Sequence, residues 1–131
     1  MLNRRGFLSL FARGLAAVPL LPATAVAASS RQIVLQQSPV AGFQHHAGEK
    51  VFERLREGMP LRLVREPENK YDKRAVAVYA GKHKLGYVPR IDNAAIAQML
   101  DRDERLSARI VKLRHSHNPW DRIRFEVALD G

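Results

Sequence analysis

The sequence predicts a mainly β fold: a small barrel-like sheet of about six strands with two short α-helices, placed after an N-terminal signal segment. Three observations lead there. Several short runs rich in β-branched and aromatic residues alternate apolar with polar positions, the period of a half-buried strand. Two short segments carry helical spacing instead. No strand–helix–strand period, internal repeat or low-complexity linker appears, which argues against a parallel sheet and for a single domain. The length of 131 residues allows one ordinary domain. A hydrophobic fraction of 46% and a charged fraction of 27% are those of a globular chain.

The last strand is the plainest. In Arg122–Leu129, Ile123, Phe125, Val127 and Leu129 fall on one face and Arg122, Arg124 and Glu126 on the other. Leu106–Leu113 forms a second long strand. Leu106, Ala108 and Ile110 are in phase there, while Val111 and Leu113 fall out of phase, which predicts a bulge or burial on both faces. Ala75–Tyr79 and Lys84–Val88 form a hairpin around Ala80-Gly81-Lys82-His83. Pro60–Arg65 begins with proline, the position a strand tolerates, and Pro39 marks the Ile33–Ala41 run as an edge strand. Asp92 is the expected N-cap of a helix over Asn93–Arg102, with Ile96, Met99 and Leu100 on one side. The other helix covers Gly48–Leu55, presents Val51, Phe52 and Leu55 on one side, and ends at Gly58.

Residues 1–27 read as an export signal and 28–131 as the folded domain. Met1–Ser30 holds Arg4, Arg5 and Arg13 and no acid, followed by the short apolar run Leu15–Pro22 and the small-x-small sequence Ala25-Val26-Ala27. The arginine pair Arg4-Arg5, with Phe7 and Leu8 after it, resembles the bacterial twin-arginine signal. That places the mature chain in the periplasm or outside the cell, or in the cytoplasm if the signal is not used. An uncut amphipathic extension is the other reading of the segment. The apolar run is too short to span a bilayer, and no membrane span is expected in the mature chain.

The chain carries 22 Lys+Arg against 13 Asp+Glu, a formal charge of +9. The excess persists once the three arginines of the leader are removed. It points to a polyanion, an anionic membrane surface or an acidic protein as partner, without distinguishing them. The absence of cysteine excludes a disulfide scaffold, a thiolate zinc site, an iron–sulfur cluster and a cysteine nucleophile. No phosphate-loop, dinucleotide, serine-hydrolase or His-Glu-x-x-His motif occurs. His115 and His117 have a spacing that two metal ligands could use, but no third ligand can be assigned, and solvated loop histidines are expected. Asp101, Asp103 and Glu104 lie beside Arg102 and Arg105, as in a solvated charge cluster. No cofactor and no catalytic activity are expected.

The densest polar segment is the loop Arg65-Glu66-Pro67-Glu68-Asn69-Lys70-Tyr71-Asp72-Lys73-Arg74, set between two apolar strands. On its residues alone it can be a turn in which Asn69 or Asp72 caps its own backbone while Tyr71 covers the barrel end. That reading comes first; the second is a binding loop, with an aromatic, a carboxylate and several cations together.

This loop resembles a known family. Val40–Gly48, the block Leu63–Val78 with its Glu-Pro-x-Asn-x-Tyr-Asp-x-x-Ala-Val-x-Val pattern, and Lys84-Leu85-Gly86-Tyr87-Val88-Pro89-Arg90 together look like a HIRAN domain. The likeness runs from about Ile33 to Leu129. It implies an OB-like β-barrel, and in a DNA-fork-remodelling member such a domain binds the free 3′-hydroxyl end of single-stranded DNA. By position, Tyr71 would then stack on the terminal base and Asp72 would accept a hydrogen bond from the 3′-hydroxyl. Arg90 would meet a backbone phosphate, with Lys73 adding its charge. The pattern departs at Gln44-His45, where that member has Arg-Tyr, and at Tyr87, where it has histidine. The resemblance therefore implies an inverted pair, His45 facing Tyr87, and one phosphate clamp fewer at Gln44. A second class of partner, an anionic glycan, lipid headgroup or protein of the cell envelope held in the same cleft, follows from the export signal and Gln44.

Overall fold

The computed structural model describes residues 32–130; the signal reading, including Arg4, Arg5, Phe7 and Leu8, lies outside the described residues. Six strands form one antiparallel sheet: β1 (Gln32–Pro39), β2 (Pro60–Arg65), β3 (Val76–Ala80), β4 (His83–Tyr87), β5 (Leu106–Leu113) and β6 (Ile123–Asp130), in the order β1-β6-β5-β2-β3-β4. All six expected strands are present, with ends shifted by a residue or two. The predicted irregularity in β5 is a shift in its register with β6 between Ile110 and Lys112.

The turning point of the sheet is β2. Its first residues, Pro60 and Leu61, pair with Arg109 and Ala108 of β5, whereas Arg62–Arg65 pair with Tyr79–Val76 of β3. One strand thus belongs to both halves, and the sheet curls around a core of Phe43, Val76, Val78, Leu85, Ile96, Ile110, Ile123, Phe125 and Val127.

The sheet is mainly β and OB-like as expected, but it is not a closed barrel. β1 and β4 are its two edges, and they meet only beyond the end of β1, where Ala41 N–H donates to Tyr87 O at 2.8 Å and Tyr87 N–H to Ala41 O at 2.9 Å. Two residues prevent a longer ladder. Pro39 has no N–H to give, and Gly42 turns the chain away in the left-handed region at φ 72°. The contact itself depends on Gly86: a Cβ there would lie 2.3 Å from Ala41 O.

Both expected helices exist in shorter form. α1 is Gly48–Val51, continued by a 3₁₀ turn over Phe52–Arg54, and α2 is Ala94–Asp101. Gly48 lies against the Phe43 ring, which a Cβ would penetrate, and Phe43 meets Phe52 edge-on at 6.1 Å. The expected N-cap Asp92 sits instead in a 3₁₀ turn, Arg90–Asp92, and Asn93 occupies the cap position. Asp92 is occupied elsewhere: its carboxylate accepts from Ser38 Oγ at 3.1 Å, and its carbonyl from Gln36 Nε2 at 3.1 Å. These bonds tie the turn that carries Arg90 to strand β1. No helix among the described residues is long and apolar enough to cross a membrane.

Candidate nucleic-acid interface

The β2–β3 loop folds around one residue, Asn69. Its Oδ1 accepts the N–H groups of Tyr71 at 2.8 Å and Asp72 at 3.2 Å, an Asx turn that fixes the backbone of both. Its Nδ2 donates to Glu66 Oε1 at 3.0 Å. Glu66 in turn anchors a half-buried cluster, in which Lys84 Nζ donates to Glu66 Oε2 at 2.9 Å and to Tyr87 Oη at 2.6 Å. Tyr87 Oη donates to Glu66 Oε1 at 2.8 Å. Burial works against charge on both ionised groups, yet these bonds prevail: Glu66 lies below the usual carboxylate range and Lys84 above the usual lysine value. The ion pair thus stays charged while it supports the loop from beneath.

Above this cluster lies a cleft of about 450 Å³, a size that suits a nucleotide-sized ligand. Its walls bring together His45, Tyr71, Asp72, Tyr87 and Arg90, five of the seven positions singled out from the sequence. Gln44 and Lys73 are exposed and do not line it. Tyr71 offers its ring to solvent, 76% exposed. The Arg90 guanidinium donates through Nη2 to the Tyr71 carbonyl and places Nε 3.7 Å from Asp72 Oδ2.

Asp72 is held on both oxygens. Oδ1 accepts the Arg74 N–H at 2.9 Å and Oδ2 the Asn93 side-chain amide at 2.8 Å. Burial raises its pKa, but the Arg74 N–H, the Asn93 amide and the Arg90 and Arg74 charges together hold it below the ordinary carboxylate range. It is therefore an acceptor at neutral pH, and a carboxylate oxygen that already takes one donor keeps capacity for a second. The two readings of the loop coexist, since Asn69 and Asp72 both cap local backbone and the same geometry presents Tyr71 and Asp72 to the cleft.

One expected partner differs. The imidazole that meets Tyr87 edge-on, at 5.5 Å and 69°, is that of His46 rather than His45. The turn Phe43–His45 buries Phe43 and leaves His45 exposed, so the next residue points toward β4. Burial, the Lys84 charge and His45 lower the His46 pKa, with Glu66 opposing, which favours the neutral imidazole. Sequence reasoning passed over His46, Asn93, Glu66 and Lys84. For His46 the signal was the His-His pair; for the Glu66–Lys84 contact no short-range spacing exists.

Elsewhere, His115 meets Phe52 edge-on at 5.1 Å and His117 is exposed. Among the described residues no group of three or more His, Asp or Glu could hold a metal ion.

Comparison with known proteins decides the family. The HIRAN domain family matches residues 33–130. The chain belongs to the HIRAN domain family. A crystal structure of a protein from Lactobacillus plantarum is similar to this HIRAN domain at 26% identity and a TM-score of 0.65, covering 76% of this chain and 95% of that one. The crystal structure of the HIRAN domain of human HLTF is similar at 17% identity and a TM-score of 0.60, covering 76% of this chain and 79% of that one. The second likeness concerns the fold. Among curated proteins, none matches.

Proposed function

We propose that this HIRAN domain is a binding module for single-stranded nucleic acid, and that its cleft takes the 3′-hydroxyl end of a DNA strand. HIRAN domains are generally DNA-binding modules. The observation that carries the finer reading is the Tyr71–Asp72 pair: an exposed ring beside an ionised, doubly anchored carboxylate, with Arg90 on the rim. The ring can stack on any base. The carboxylate accepts a hydroxyl and repels a terminal phosphate. Arg90, 65% exposed at its side chain, is free to meet the phosphate between the last two nucleotides. The module supplies recognition only, with neither cofactor nor catalytic step. Cleavage after Ala27 and export to the periplasm are part of the proposal and would be read by cell fractionation.

The test is a titration of residues 28–131 with a short single strand ending in a 3′-hydroxyl or a 3′-phosphate, across a salt series. The hydroxyl end is expected to bind better. Arg90→Ala should flatten the slope of log K against log salt by about 0.7, the loss of one single-strand phosphate contact. Equal affinity for both ends would refute end recognition, and no binding of either would refute the nucleic-acid reading. In that event an anionic envelope ligand or protein partner becomes the reading to pursue.

A further inference from the structure

Asn93 is 1% exposed, and its side-chain amide is only half used. Nδ2 donates to Asp72 Oδ2 at 2.8 Å, whereas Oδ1 is buried and meets no donor. An orphaned buried acceptor is costly, and native proteins keep few of them. The usual employment of an asparagine at this position is also missing. Asn93 stands at the N-cap of α2, where such a side chain ordinarily accepts a first-turn N–H, and it makes no capping bond. Turning the amide over would satisfy neither need, because Oδ1 would then face the Asp72 carboxylate, oxygen against oxygen. The orientation is dictated by Asp72.

We propose that Asn93 is a positioning residue: it locks the Asp72 carboxylate in the orientation that receives a terminal hydroxyl, and so sets the preference for that chain end. This rests on the reading of the cleft given above. Three further contacts support it. The Arg74 N–H fixes the other carboxylate oxygen at 2.9 Å. The turn before Asn93 is tied to β1 through Ser38 and Gln36. The Asn93 carbonyl is held by the Ala97 N–H at 2.8 Å. The amide is therefore a rigid arm between the helix and the carboxylate, with its second function left unsatisfied.

The experiment compares a single strand ending in a 3′-hydroxyl with the same strand ending in a 2′,3′-dideoxynucleotide, for the wild type, Asn93→Ala and Asn93→Asp. The aspartate variant keeps the buried volume and replaces the donor by an acceptor, which guards against a packing defect in the alanine variant. The wild type should prefer the hydroxyl by about tenfold, the size of one charge-assisted hydrogen bond. Both variants should lose most of that preference while their affinity for the dideoxy strand stays within about twofold of wild type. Equal weakening of both strands would show a merely structural role and overturn the proposal. Independently, the Asp72 carboxyl carbon, followed by NMR, should titrate at higher pH in Asn93→Ala. An unchanged titration sinks the role of Asn93, whereas a wild type that treats both ends alike sinks the reading of the cleft.

Discussion

Two polar loops join neighbouring strands in this domain, and they are built in opposite ways. The β2–β3 loop is stitched to distant parts of the chain: Glu66 to Lys84 and Tyr87, Asp72 to Asn93, and the Tyr71 carbonyl to Arg90. The β5–β6 loop is closed largely on itself, with Asn118 accepting from the Trp120 N–H, donating through its side chain to Asp121, and donating its own N–H to Ser116 Oγ. Its long-range ties are Arg122, to Glu49 at 3.0 Å and over the Phe52 ring, and His115, edge-on to Phe52. Long-range anchoring fixes side chains in advance, which lowers the ordering cost of binding. Local closure only satisfies backbone groups. The first loop, anchored in this way, presents Asn69, Tyr71 and Asp72 as one wall of the cleft.

The sharpest way to break this contrast is Gly86→Ala. The added methyl meets Ala41 O at 2.3 Å, at a φ of 153° that disfavours a side chain. It should cost about 3 kcal/mol of stability and remove the cleft, read by urea denaturation and by loss of oligonucleotide binding. Asn69→Ala comes next. It frees the Tyr71 and Asp72 N–H groups and takes a donor from Glu66, with an expected loss of about 1–2 kcal/mol and a parallel loss of end preference. Asn118→Ala is its counterpart in the self-closed loop. Only a turn cap is removed, so stability should fall by about 0.5–1 kcal/mol with the end preference intact. If that preference also collapsed, the distinction between the loops would be wrong.

The smallest effect is one of pH. His46 has a folded pKa below its ordinary 6.5, first through burial and then through the Lys84 charge. As pH falls below 6.5, the unfolded chain gains a proton that the folded chain resists, so stability declines. Denaturation midpoints at pH 7.5 and 5.5 should show this decline, and His46→Gln should reduce it. Glu66 and Asp72, both depressed, act in the same sense at lower pH, where stability present above their unfolded values is lost as they protonate.

Strands and site differed in how far they could be read from sequence. Period-two alternation locates β5 and β6 because side-chain direction there is a local property, and even the β5 irregularity is visible in Val111 and Leu113 falling out of phase. Tyr71, Asp72, Tyr87 and Arg90 were legible through a motif whose residues are near in sequence. Open closure of the sheet was not, since it depends on Pro39, Gly42 and Gly86 meeting across the fold. Helix capping failed for a similar reason: Asp92 and Asn93 are about equal caps by propensity, but Ser38 and Gln36 claim Asp92 from another strand. Asn93 then takes the position, and Asp72 claims its amide.

The Ala41–Tyr87 contact makes one wall of the cleft double as the seam of the whole sheet. Among the described residues two backbone hydrogen bonds close that seam, and Ala41 and Tyr87 both line the cleft. A strand end seated there would brace both edges at once, so occupancy and integrity of the fold are thermodynamically linked. The amide protons of Ala41 and Tyr87 become natural reporters of it, exchanging slowly when the cleft is filled and faster when it is empty.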